Sequence, residues 1–261
     1  MRFIGQKHII SRIRDILPEL YENKNEGRNF LIRGPSGYGK TTLALTMCEY
    51  LAGNSFQVFW ADWTEFHFKK RVIFIDEIHK MKDFERLFGV MDSRKHVMIF
   101  ATNQDGNLPE AFVNRCVHLI MSDYNLEELM RIARDALRVN VTDESLKSII
   151  SAGNNNPRII KDNLCDNLNI YFKRHPEINP LTVNMDRLLK EIFSIEDGLD
   201  TLCRKYLETL QDVGGTASLN LLKSILHIDD TTLKNEVEPV LIRKGLMKIT
   251  PKGRSLVHDN S

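Results

Sequence analysis

The chain has little that would cross-link it, export it or coat it with one sign of charge. Its four cysteines, Cys48, Cys116, Cys165 and Cys203, are scattered with no CxxC, which argues against a disulfide framework or a zinc cluster. Eight histidines form no HExxH and no close group. No apolar run approaches the ~20 residues needed to cross a bilayer. The opening Met1-Arg2-Phe3-Ile4-Gly5-Gln6 lacks the apolar stretch of a secretory signal. No membrane association and a reducing cytoplasm are therefore expected. Charge is balanced, 36 basic residues against 35 acidic for a net +1, which excludes a globally basic DNA-coating protein but allows a local basic patch. There is no internal repeat and no low-complexity segment.

What is present is a chain of 261 residues with 42% hydrophobic and 27% charged side chains, ordinary for a globular protein and long enough for two or three compact units. Short apolar runs at Asn29–Arg33, Phe56–Trp60, Val72–Ile75, Val97–Ala101 and Cys116–Ile120 read as strands separated by helical or polar stretches. Strands alternating with helices predict a parallel sheet covered on both faces. Leu43, Met47 and Leu51 make one helix face, with Gly53 as its C-cap.

Two motifs close two of these strands. Gly34-Pro35-Ser36-Gly37-Tyr38-Gly39-Lys40-Thr41 fits G-x4-G-K-[ST], and Thr42 continues into the helix. Its glycines let backbone N–H groups surround phosphates, and the helix N-terminus adds its dipole. Lys40 is expected on the β- and γ-phosphates and Thr41 on Mg²⁺. Phe74-Ile75-Asp76-Glu77 supplies Asp76 for the Mg²⁺ shell and Glu77 to polarise the attacking water. A glycine-rich turn and a capping pair of acids are the bland readings. Their order along the chain, each after a strand, favours a nucleotide triphosphatase.

Beyond Tyr124 the strands stop. Leu126, Leu129, Met130, Ala133 and Leu137 have helical spacing, a helix is expected from Thr142 to Gly153, and Asn156-Pro157 reads as N-cap and first turn of another. Ile195-Glu196-Asp197-Gly198 is a polar junction. After it come a helix from Leu199 to Gln211, a break at Gly214-Gly215, helices starting near Ser218 and Asp230, and a strand, turn and strand over Leu246–Val257. Three helices then a hairpin is the order of a winged helix. Arg243, Lys244, Lys248, Lys252 and Arg254 cluster there against Asp259. Lys248, Lys252 and Arg254 on the hairpin suit backbone contact with DNA, although many wings contact protein instead. Phe66-His67-Phe68-Lys69-Lys70-Arg71 reads as a half-buried strand lead-in with a solvated basic end in preference to a second DNA contact.

Asp76-Glu77-Ile78-His79 resembles the Walker B signature of AAA+ ATPases, and Ala101-Thr102-Asn103 resembles their sensor 1, with Asn103 favoured and Thr102 second. Asn114-Arg115-Cys116 resembles the arginine-finger box, which implies that Arg115 acts on ATP held by the neighbouring subunit. Asn156-Pro157-Arg158 resembles sensor 2, which implies that Arg158 touches the γ-phosphate in its own subunit. Either arginine alone would read as a surface ion pair. Within AAA+ the chain is most similar to the RuvB family of Holliday-junction branch-migration motors. Phe3-Ile4-Gly5-Gln6 resembles its opening box, which implies that Ile4 lies near the adenine. Gly198-Leu199-Asp200, Val237-Glu238-Pro239 and Thr250-Pro251-Lys252-Gly253-Arg254 follow its winged-helix pattern.

The resemblance implies an AAA+ P-loop core over 1–122, an α-helical lid over 123–195 and a winged-helix domain over 196–261. It also implies ATP and Mg²⁺ as cofactors and a homo-oligomeric ring, a hexamer in the family, that translocates on duplex or branched DNA. Two departures stand out. The arm before the opening box is nearly absent. The segment from Asp76 to Asn103 is short where the family carries a β-hairpin that docks on RuvA. Met91-Asp92-Ser93-Arg94-Lys95 runs almost directly into the next strand. A different junction-binding or replication partner, or none, is compatible with this. So is a loader that delivers another protein, or an adaptor whose winged helix binds protein.

Overall fold

The computed structural model describes residues 3–61 and 67–257. The chain forms two compact units, one from residues up to Asp135 together with Asn156–Lys161, the other from Ala136–Asn155 and the residues from Asp162 onward.

The first unit is built on β1 (Asn29–Arg33), β2 (Phe56–Trp60), β3 (Val72–Asp76), β4 (Val97–Thr102) and β5 (Val117–Ile120), all parallel in the order β2-β3-β4-β1-β5. β3 and β4 are buried along their whole length, so their apolar runs are continuous. β2, at the edge, buries Phe59 and exposes Val58 and Trp60. The helices are α1 (Lys7–Glu22), α2 (Lys40–Ala52), α3 (Glu85–Ser93), α4 (Glu110–Val113) and α5 (Leu126–Ala136). Ile9, Ile13, Leu17 and Leu20 form the buried stripe of α1, and Leu43, Met47 and Leu51 that of α2, which Gly53 caps.

The basic run before β3 meets expectation at Phe68, which is half-buried, and at Lys69 and Lys70, which are exposed, and departs from it at Arg71. Phe66 lies outside the described residues. Arg71 is not a solvated end: its guanidinium donates to the carbonyls of Leu20, Asn23, Lys24 and Glu26 at 2.6–3.2 Å and so satisfies the C-terminus of α1. Between β3 and β4 the chain forms a 3-10 turn over Ile78–Lys80, α3, and a left-handed turn at Arg94. There is no hairpin in this fully described segment.

The second unit begins with α6 (Asp143–Ala152), whose N-cap Thr142 accepts from Ser145 N. The helix that opens at Pro157 passes through a π-helical stretch, Ile159–Cys165, into α7 (Asp166–Arg174). α8 (Met185–Phe193) follows. Then come α9 (Thr201–Asp212), β6 (Thr216–Ala217), α10 (Leu219–Leu226), α11 (Asp230–Thr232), a π-helical stretch Leu233–Val237, α12 (Glu238–Arg243), β7 (Met247–Thr250) and β8 (Gly253–Leu256). Side-chain oxygens of Asp200, Ser218 and Asp229 cap the three helical runs. Pro239 cannot donate a backbone hydrogen bond, and the wider π turn lies just before it.

β6-β8-β7 form an antiparallel sheet on a core of Tyr206, Leu210, Leu222, Leu233 and Leu241. Sequence reading missed β6. Gly253 makes it possible, because a Cβ there would collide with the Ala217 carbonyl and its φ is +127°.

Candidate functional site

The sheet brings three strand ends together. β1 carries the glycine loop, β4 lies between β1 and β3 and carries Thr102, and β3 carries Asp76. Ligands of open α/β sheets sit at such C-terminal ends. Gly34, Gly37 and Gly39 have φ of +149°, +82° and +89°, conformations that L side chains rarely adopt. The loop thus turns sharply over Pro35, Ser36 and Tyr38 before Lys40, Thr41 and Thr42 start α2. Lys40 is buried, and its Nζ donates to Gly34 O at 2.8 Å and Pro35 O at 2.9 Å, which places the ammonium inside the loop.

Thr41 Oγ1 donates to Asp76 Oδ2 at 2.8 Å, while Asp76 Oδ1 accepts from Glu77 N at 2.9 Å. A hydroxyl and a buried carboxylate side by side fit Mg²⁺, which takes few protein ligands and completes its octahedron with water and phosphate oxygens. Among the described residues no group of three or more His, Cys, Asp or Glu could hold a metal ion.

Glu77 adopts a left-handed conformation, φ 52°, directly after β3. His79, to which sequence reading gave no role, links it to the neighbouring strand. His79 Nε2 lies 3.3 Å from Glu77 Oε2, and Nδ1 lies 3.1 Å from Thr102 Oγ1. Thr102 is fully buried and also bonds both backbone groups of Gln104, whereas Asn103 is exposed at the strand end. Thr102, the second choice for sensor 1, is thus the residue tied to Glu77.

Other segments close on the loop. Gln6 bonds the Ser122 backbone in both directions at 2.7 and 2.9 Å. Tyr38 donates to Asp123 at 2.7 Å, and Tyr124 to Tyr38 O at 2.8 Å. Ile4 is half-buried in the same opening segment. Asn156 donates to Ser36 O at 3.1 Å and approaches Gly37 so closely that any Cβ there would collide with it. Its Oδ1 accepts from the backbone N–H of Arg158, whose side chain is exposed.

Arg115 stands in the turn before β5. Nε and Nη2 donate to the two oxygens of Asp92 at 2.9 and 3.2 Å, Nη1 donates to Ala111 O at 2.7 Å, and the guanidinium carbon lies 4.6 Å from the Phe88 ring centroid. The Asp92 hydrogen bond is the main cause of the raised pKa of Arg115.

The wing requires a correction. Lys248 and Lys252 are exposed, but Arg254 is not available to phosphate. Its side chain is 16% exposed and pairs with Glu238, which is 3% exposed, at 2.8 Å. Tyr206 donates to the same carboxylate at 3.1 Å. β8 points this residue toward the helical core, where a charged carboxylate needs a cation. Lys244 is also committed, donating to Asp197 O at 3.0 Å. None of the four cysteines, all among the described residues, is in a disulfide, and burial raises each thiol to about 12. No helix among the described residues is long and apolar enough to cross a membrane.

Residues 30–124 match the ATPase family associated with various cellular activities (AAA), and residues 196–259 match the RuvB C-terminal winged helix domain. The Holliday junction branch migration complex subunit RuvB of Mycoplasma genitalium is 24% identical, covering 98% of this chain and 93% of its own length. The same subunit of Thermotoga maritima is 26% identical, covering 97% and 86%. A solved structure of the Thermotoga maritima RuvB Holliday junction branch migration motor superposes with a TM-score of 0.80 at 27% identity over 98% of this chain and 93% of that one. With its nucleotide loop, its Asp76-Glu77 strand end and its C-terminal three-stranded sheet accounted for by these matches, the chain is a RuvB-like AAA+ ATPase with a RuvB C-terminal winged helix domain.

Proposed function

We propose that this ATPase is a DNA motor: a homo-oligomeric ring, hexameric as in the resemblance, that moves duplex or branched DNA at the expense of ATP in branch migration, recombination or replication in the cytoplasm. The observation that carries the reading is the joining, in one chain, of an assembled hydrolytic site and a RuvB-type winged helix. The working parts are the P-loop core over 1–122, the lid over 123–195 and the winged helix over 196–261.

In the ATP site, Gly34 to Thr42 hold the triphosphate, Lys40 neutralises its β- and γ-phosphates, and Thr41 and Asp76 hold Mg²⁺. Bound Mg²⁺ neutralises charge that develops on the phosphates. Glu77 orients water, Thr102 and Asn103 sense the γ-phosphate, and Ile4 borders the base. Arg158 acts in its own subunit and Arg115 on the neighbour's ATP. Lys248 and Lys252 grip the DNA backbone.

The helix and turn that replace the hairpin between β3 and β4 support a second reading, a loader that assembles on DNA and delivers a partner protein other than RuvA. ATP turnover with and without DNA tests the assignments. DNA should stimulate the wild type. Glu77→Gln should bind ATP without hydrolysing it, and Lys40→Ala should lose nucleotide affinity. Wild-type turnover by Glu77→Gln would remove that carboxylate from the mechanism. A chain that neither binds DNA nor responds to it would overturn the motor.

A further inference from the structure

We propose that Asp92, supported by Phe88, is a positioning residue that holds Arg115 preset for a phosphate on a second copy of this chain. The inference rests on the trans role given to Arg115 above. Asp92 and Phe88 are one helical turn apart on α3 and so share a face. Together with the Ala111 carbonyl they fix the guanidinium at three hydrogen bonds and one ring face.

A guanidinium has five N–H donors in a rigid fork. Nε, one hydrogen of Nη1 and one of Nη2 are engaged, so each terminal nitrogen keeps one hydrogen with no partner among the described residues. Two such donors can grip a phosphate while the other three keep their partners. Stability does not account for the arrangement. The pair is 34% and 56% exposed, and ion pairs so open to water contribute little to folding. What it does accomplish is to confine a long side chain that would otherwise spread over many rotamers. A finger misplaced by about 1 Å can lose ~10²-fold in rate.

The test is ATP turnover by the assembled full-length chain. Asp92→Asn should lower kcat roughly 10–100-fold with the KM for ATP unchanged. Asp92→Glu, which keeps the charge, should recover part of the loss, and Phe88→Leu should lower kcat independently. The double variant Asp92→Asn, Arg115→Ala should turn over no more slowly than Arg115→Ala alone. Mixing Asp92→Asn with Glu77→Gln subunits should restore hydrolysis, because some interfaces regain an intact carboxylate facing an intact finger.

Wild-type kcat for Asp92→Asn beside a slow Arg115→Ala would overturn the proposal and leave the finger standing. A higher kcat for Asp92→Asn would also overturn it, since the pair would then be parking the arginine. A double variant slower than Arg115→Ala would place Asp92 outside this pathway. Full activity of Arg115→Ala in confirmed assemblies would remove the trans reading and this inference with it.

Discussion

Arg254→Ala removes one half of a buried ion pair and leaves Glu238, 3% exposed, as a carboxylate with Tyr206 as its remaining side-chain donor. Breaking a buried pair from one side costs about 3–5 kcal/mol. Arg254 keeps 16% exposure, so water enters and relieves some of the charge. We therefore expect a loss of about 2–4 kcal/mol from the transition that reports the winged helix. Arg254→Met combined with Glu238→Gln should regain most of it, because no uncompensated charge stays buried and the amide oxygen still accepts from Tyr206. Urea unfolding followed by far-ultraviolet circular dichroism, with the C-terminal transition fitted separately, measures both. DNA affinity at temperatures where the variant is folded should change little. If Arg254→Ala unfolds within about 0.5 kcal/mol of wild type and its slope of log affinity against log salt falls by roughly one unit, Arg254 contacts phosphate and the burial argument is wrong.

The exposed wing lysines carry the opposite expectation. Lys248→Ala with Lys252→Ala should weaken DNA binding similarly for unrelated sequences and lower the salt slope by roughly one unit per lost phosphate contact, with DNA-free ATP turnover intact. Unchanged binding at every salt concentration would assign the wing to protein contacts. The thiols should resist alkylation at pH 8. Burial raises each pKa to about 12, so the thiolate fraction there is only ~10⁻⁴. Mass spectrometry should show labelling of all four only after denaturation, and rapid labelling of the native chain would contradict their burial.

Local signals in the sequence carried most of the fold and the nucleotide loop. The five strands of the first sheet are apolar runs because most of them are buried on both faces, and Thr142, Ser218 and Gly53 stand at helix ends where their chemistry is needed. What was not legible depends on residues distant in the chain. β6 exists only because Thr216 and Ala217 pair with Ser255 and Arg254. Arg254 counts as surface charge until Glu238 is found beneath it, and Arg71 until the end of α1 is. His79 looked like motif filler, yet it joins Glu77 to Thr102 across two strands. Such pairings leave no periodicity in sequence, since they are made by topology and not by spacing.

The most direct test of the motor is strand separation on a synthetic four-way junction with no added partner protein. Wild-type chain with ATP and Mg²⁺ should resolve the junction into duplex products, and Glu77→Gln should bind the junction and leave it intact. ATP turnover stimulated by the junction without any strand separation would contradict the motor and put the loader in its place.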